Sequence, residues 1–318
     1  MIPFYKPNIT EEDVQAVADV VRSGRLVTGE KVKELEEKFA EYVGAPYALA
    51  VDSLTSGYLL LLDFLNPSSV ILPSCTYVSM AAITKKFGVP LSFSDEWVVG
   101  RAYKIETDRG TIYDSAHEIH KDICKGDEAG YWLFSLHGTK IVTAGSGGII
   151  ALFSKDHYEY LRTLRDSGRL HFAERYDYTV QTIGWNQEFT DIQAALCLSQ
   201  LGRVEELLEK RRTVSKKLSE KITPRIGDQR SDYLYQIVVD DFSDFAKFVK
   251  GKIAISRHFY PLHKQPAFEI KAPNQFPKSN FYGTHLVSIP FYPDMTDEEI
   301  NTVGEIINEW RKNENSKD

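Results

Sequence analysis

Cysteine is scarce in this chain. Cys75, Cys124 and Cys197 are odd in number and show no CxxC spacing. That argues against a disulfide framework or a zinc ribbon and leaves each as a small buried hydrophobe. Long apolar runs are missing as well: Tyr58 to Leu65 is far too short to span a bilayer. The opening Met1-Ile2-Pro3-Phe4-Tyr5-Lys6-Pro7 lacks the apolar core of a signal peptide, so a cytoplasmic location is expected. Positive charge is not in excess. Lys and Arg number 38 against 45 Asp and Glu, a net charge of −7, which removes any global pull toward nucleic acid or an anionic membrane. A GxSxG elbow, a P-loop and a GxGxxG after the first strand are absent, against hydrolase, nucleotide-kinase and dinucleotide readings. His117, His120, His137, His258 and His263 have no HExxH spacing, so no metal site is expected.

What is present is alternation of two periods. Thr10 precedes Glu11, Glu12 and Asp13, acids suited to a helix N-terminus, and Gly24 closes the run. A second helix from Glu30 buries Val32, Leu35, Phe39 and Val43 and stops at Gly44. Strands are then expected at Tyr47–Val51, Ser69–Leu72, Leu91–Phe93, Thr111–Tyr113, Tyr131–Phe134 and Gly148–Phe153. Helices are expected at Tyr58–Leu65, Tyr77–Phe87 and Lys155–Arg165. Such alternation predicts an α/β fold with a largely parallel sheet covered by helices on both faces. A long helical stretch from Thr190 to Ile222, with one break, leads into a smaller α+β unit. That unit comprises Tyr233–Val239, a helix at Phe242–Val249, Ile253–Ile255 and a final helix at Asp297–Trp310, with Lys312 to Asp318 frayed. The domain boundary is placed near residue 205, giving 1–205 and 206–318.

Four needs define a pyridoxal 5'-phosphate (PLP) site: a lysine for a Schiff base, a carboxylate for the pyridine nitrogen, a phosphate cradle, and a face for the ring. Asp114 ends a strand, where open α/β sheets bind ligands; taken alone it is more often a cap or turn acid. Lys140 follows another strand and precedes small and apolar residues, which favour burial and a reactive amine over a solvated charge. Thr55, Ser56 and Gly57 open a helix, a natural phosphate site, although a plain helix cap is the commoner role. Tyr77 follows a strand and could stack on a flat ring or simply fill the core.

Taken in order, these segments resemble the DegT/DnrJ-type family of PLP-dependent sugar aminotransferases. Ser23-Gly24-Arg25-Leu26-Val27-Thr28-Gly29 resembles its S-G-x-L-x-T-G segment, and Val51 to Ser56 its V-x-S-G-T-x turn. Pro73 to Ser79 is similar to P-x-x-T-[FYW]-V-[AS], and Asp114-Ser115-Ala116-His117 to D-x-A-[HQ]. Ser135 to Lys140 resembles S-F-H-x-x-K, Gly145 to Gly148 resembles G-E-G-G, and Gly184 to Ala195 resembles G-x-N-x-R-x-T-D-I-Q-A-A. Tyr260 to Pro266 and Ser288 to Thr296 complete the series. The resemblance implies the type I aminotransferase fold with a seven-stranded sheet and PLP as cofactor. It implies that Lys140 carries the Schiff base and shuttles the proton, and that Asp114 holds the pyridine nitrogen. Thr55, Ser56 and Ser135 would bind phosphate, His117 would lie near the ring hydroxyl, and Tyr77 would stack. Asn186 would reach the neighbouring subunit's phosphate across a homodimer. Glutamate or glutamine would donate the amino group to a nucleotide-linked keto-sugar.

Departures from the pattern are specific. Leu54 stands where the family has glycine, Glu188 where it commonly has arginine, and Ser146 where it has glutamate. Only Ser94 to Ile112 occupy a gap that usually holds a further strand and helix, too few for a βαβ crossover. The expectation is a sheet short of a strand, with one wall of the pocket missing or rebuilt. Two alternatives stand beside the sugar aminotransferase. One is a family member with a regulatory or structural role. The other is a PLP aminotransferase for a small keto acid, which would need an arginine for the substrate carboxylate; Arg101, Arg165, Arg169 and Arg257 are candidates.

Overall fold

A computed structural model describes residues 1–171, 178–268 and 275–315. The chain opens with two helices, α1 (Glu11–Ser23) and α2 (Glu30–Val43), and then alternates: β1 (Tyr47–Val51), α3 (Leu54–Leu65), β2 (Val70–Pro73), α4 (Val78–Lys86), β3 (Leu91–Ser94). Next come β4 (Tyr103–Thr107), β5 (Gly110–Asp114), β6 (Tyr131–Ser135), β7 (Gly148–Leu152), α5 (Lys155–Arg165), and the short pair β8 (Arg169–His171) and β9 (Tyr178–Val180). Helices α6 (Asp191–Leu201) and α7 (Val204–Lys221) lead to β10 (Gln229–Arg230), β11 (Tyr235–Val238), α8 (Phe242–Val249), α9 (Pro277–His285), β12 (Leu286–Ser288) and α10 (Asp297–Asn315). Gly24 and Gly44 end α1 and α2 in the left-handed conformation, as their sequence positions predict. The expected fraying does not reach the last turn of α10, where Glu314 is buried and accepts from Arg225 Nη1 at 2.7 Å. Residues 316–318 of that tail lie outside the described residues.

The central sheet has seven strands in the order β1-β7-β6-β5-β4-β2-β3. Following the pairings across it, β1, β2, β3, β5 and β6 run one way, and β4 and β7 run against them. The sheet is therefore mostly parallel but mixed, and it is not short of a strand. The shortened segment supplies β4, which pairs antiparallel with both β2 and β5. A parallel neighbour needs a long crossover, whereas an antiparallel one needs only a tight turn. Here Asp108 and Arg109 make that turn, and Thr107 Oγ1 donates to the Gly110 carbonyl at 2.7 Å. The signal was in the sequence: Tyr103-Lys104-Ile105-Glu106-Thr107 alternates apolar and polar before Asp-Arg-Gly. Ile105 is fully buried between its neighbours, while Lys104 and Glu106 face outward.

Two apolar clusters flank this sheet. One packs α2, α6 and the start of α7 with Phe39, Phe134 and Phe189; the other packs α3, α4 and α5 with Tyr58, Leu61 and Leu133. A third, built around Phe245, Tyr235 and Val303, joins α7, α8 and α10 to the sheet β10-β11-β12. Ile253–Ile255 is not a strand; Ile253 makes only an isolated bridge with Ile2. All three cysteines are free and buried. Among the described residues, no helix is long and apolar enough to cross a membrane.

Candidate active site

The C-terminal ends of β5 and β6, the N-terminus of α3 and the loop before β7 converge on a cavity of about 360 Å³. Helix α3 begins at Leu54, four residues before the predicted Tyr58, because Ser53 caps it: its Oγ accepts from Ser56 N at 3.1 Å. Leu54 does not spoil this turn. Its side chain is buried in the α3 cluster, and it lines the cavity beside Thr55. Gly148 makes the turn possible, since a Cβ there would meet Leu54 N at 2.4 Å. Of the predicted hydroxyls, Thr55 and Ser135 line the cavity, and Ser56 lies just behind, bonded to Ser53 Oγ at 2.9 Å. Ser146, in the family's glutamate position, also lines the cavity and donates to the Asp52 carbonyl at 3.1 Å.

Asp114 is buried at the end of β5. Its Oδ1 accepts from Ala116 N at 2.9 Å and its Oδ2 from the Tyr103 hydroxyl at 2.7 Å. Burial raises its pKa above the ordinary carboxylate value, opposed by these two hydrogen bonds and by the charge of Lys140. Tyr103 lies directly opposite Asp114 across the β4–β5 hairpin and also contacts the Thr76 hydroxyl. Burial and then Asp114 push its phenol well above the usual range, so it stays a donor. Sequence reasoning missed Tyr103 because it missed β4.

Lys140 stands in a loop tied at both ends: Leu136 N donates to the Gly147 carbonyl and Gly138 N to that of Gly145, both at 2.9 Å. Ile141, Val142 and Ala144 sink into the core and anchor it. Lys140 Nζ donates to the Tyr233 hydroxyl at 3.2 Å and lies over the same ring. Tyr233, His258 and Phe259 line the cavity from the C-terminal half, and none was singled out for the site from sequence, since their approach depends on how the two halves dock. His117 stacks on Tyr233 with ring centroids 4.5 Å apart, and its Nδ1 accepts from Gly100 N at 3.1 Å. Tyr77 lines the cavity with an exposed face. His120 is exposed, and His263 is locked between Ser74 and Asn280. Asn186 is exposed and outside the cavity. Glu188 is outside it too, paired with Arg169 at 3.2 Å.

Desolvation and then Lys140 push His258 down to about 4, and His117 is lowered by the same causes together with His258. Both rings are therefore neutral at pH 7. Below the ordinary value near 6.5 the unfolded chain takes up protons that the folded cavity refuses. Stability is thus whole above that value and is lost as pH falls toward about 4. His258→Gln should flatten this decline by about 1–2 kcal/mol, discounted for partial exposure. The check is urea unfolding at pH 7 and pH 4.5; His117 and His137, lowered as well, leave a residual slope. An unchanged slope would show that the His258 ring is solvated.

A lysine, a buried carboxylate and a hydroxyl-rich helix N-terminus thus meet around one cavity. Solved structures share the fold. A sugar aminotransferase described as putative, Spr1654 from Streptococcus pneumoniae in its PMP form, superposes with a TM-score of 0.86 at 22% identity, over 98% of this chain and 100% of its own. The profile of the DegT/DnrJ/EryC1/StrS aminotransferase family matches residues 7–96 and 109–308, and the chain belongs to this family. Similar sequences include the spore coat polysaccharide biosynthesis protein SpsC of Bacillus subtilis, 26% identical over 96% of both chains. The uncharacterized protein MJ1066 of Methanocaldococcus jannaschii is 26% identical over 98% of both.

Proposed function

We propose that this protein moves an amino group from glutamate or glutamine to a nucleotide-linked keto-sugar, with Lys140 as the Schiff-base lysine. The observation that carries the reading is that Lys140 and the buried Asp114 line one cavity with the capped N-terminus of α3. The residues fit PLP: Asp114 is an acid that burial disfavours as an anion, and a protonated ring nitrogen would be the counter-charge it lacks. When bound, PLP supplies the electron sink for breaking the bond at the amino-bearing carbon. The chain's own residues do the rest. Thr55, Ser135 and the amides of α3 offer an anion site at a helix N-terminus. Tyr77 offers one flat face to the ring. Lys140, held beside a phenol rather than a carboxylate, would hold the cofactor and take up and release a proton at its Nζ. His117 would lie near the ring hydroxyl, and Asn186 is exposed where a second subunit could use it.

Absorbance spectroscopy tests this directly. PLP added to the purified protein should give a visible band that L-glutamate bleaches, and Lys140→Ala should show no such band. A wild-type protein without a Lys140-dependent band would sink the proposal and favour a regulatory role.

A further inference from the structure

The family profile skips residues 97–108, and the first half of that stretch is part of the cavity wall. Between β3 and β4 the chain crosses the site as a short strap, Asp95 to Ala102. The strap is fixed at four points. Asp95 accepts from the N-terminal amides of α9, Ser279 N at 2.7 Å and Lys278 N at 3.0 Å. Trp97 is buried with its ring centroid 5.1 Å from that of Tyr282. Gly100 has a φ of +93° and presses so close to Ser231 that a Cβ would meet its Oγ at 2.9 Å. Ala102 N donates to Glu118 Oε2 at 2.7 Å. Anchored in this way, the strap presents Val98, Val99 and Arg101 to the cavity.

Arg101 is exposed and, among the described arginines, stands apart. Most of the others meet a carboxylate; Arg211 reaches the Tyr233 carbonyl, and Arg230 and Arg257 lie over aromatic rings. No carboxylate, carbonyl or ring among the described residues holds the Arg101 side chain. Of the four arginines weighed from sequence, only Arg101 lines the cavity: Arg165 is buried against Glu36 and Asp166, Arg169 pairs with Glu188, and Arg257 covers Phe242. Three side chains of carboxyl, amine or guanidinium type line the cavity: Asp114, Lys140 and Arg101. The proposed function commits Asp114 and Lys140 to the cofactor, which leaves Arg101 as the cation without a counter-ion.

We infer that Arg101 binds an oxyanion of the reacting substrate, and that the strap replaces the missing crossover as the specificity wall. The inference rests on the proposed function for the word substrate, but not for the binding itself. A guanidinium pairs bidentately with either a carboxylate or a phosphate. Two sources fit that chemistry, the carboxylate of the amino donor and the diphosphate of the sugar nucleotide.

Calorimetry on PLP-loaded protein separates them, with maleate as an unreactive dicarboxylate and thymidine diphosphate as the nucleotide probe. Arg101→Gln should weaken one probe by about 10- to 100-fold, and Arg101→Lys should fall between it and wild type. Arg109→Gln, at the far tip of the hairpin, should change neither. Loss confined to maleate assigns the donor carboxylate; loss confined to thymidine diphosphate assigns the sugar nucleotide. Affinities within twofold of wild type for both probes, or a wild-type protein that binds neither, overturn the inference. Arg101-dependent binding in a protein whose spectrum ignores glutamate would uphold it while sinking the aminotransferase proposal.

Discussion

Asp114→Asn is expected to lower turnover by about two to three orders of magnitude while leaving the Lys140-dependent band in place. The amide keeps the size of the carboxyl but not its charge. In the folded chain the carboxylate is buried with one phenol and one amide as donors, so its charge can be balanced only by a cation inside the cavity. In the proposed role a pyridinium would be that cation, and without Asp114 the ring nitrogen would lose its proton and with it most of its capacity to accept electrons. Stability should move the other way or hardly at all. Burial raises the pKa of Asp114, so the ionised form costs the empty protein free energy at pH 7 that an amide does not. Against this, one of the two donors would face an NH2 group. The expected change in Tm is within about 4 °C. Steady-state kinetics with thermal unfolding on the same preparation gives both numbers. Turnover within tenfold of wild type would remove Asp114 from its assigned role.

Arg165→Met should destabilise the fold by about 3–5 kcal/mol, the cost of stranding a buried charge. Arg165 and Glu36 are both almost wholly buried, 3.0 Å apart, and Arg165 also grips Asp166 and donates to the Ala50 carbonyl at 2.9 Å. Glu36 in turn accepts from Ala50 N at 2.9 Å. One guanidinium thus bolts α2, β1 and the end of α5 together. Burial already raises the pKa of Glu36 despite Arg165, and without the arginine it would rise further. A raised acid pKa costs stability as pH climbs above the unfolded value, so the defect should be larger at pH 8 than at pH 4.5. Adding Glu36→Gln should recover part of the loss, because the remaining partner is then neutral. Urea midpoints for the single and double variants test this; equal losses at both pH values would mean that Glu36 finds water.

Local pattern carried much of the fold. The helix caps at Thr10 and Gly24, the exact span of α8 and the break between α6 and α7 are set by neighbours in sequence, and they were legible there. Asp114, Thr55, Tyr77 and Lys140 were legible as candidates for a related reason, since each ends a strand or opens a helix or loop beside one, whereas Ser135 was implied only by the family resemblance. What was hidden depends on distant partners. Tyr233 and His258 reach Lys140 and His117 only once the C-terminal half docks. Arg101 is an unremarkable arginine until the strap is anchored on α9. The missing strand was a different kind of error: a family expectation of a parallel crossover masked a five-residue alternation ending at Asp-Arg-Gly.

The reversed strand β4 also bears on how the site assembles during folding. Tyr103 and Asp114 are eleven residues apart in the chain, so the buried acid and its phenolic donor can meet as a hairpin closes, on a timescale of about 1–10 μs. A crossover helix would have placed far more chain between two neighbouring strands and raised the entropy of bringing them together. In this chain a buried acid of the pocket can be matched to a hydrogen-bond donor by a local event that needs neither the long-range pairing of β4 with β2 nor the arrival of the C-terminal half.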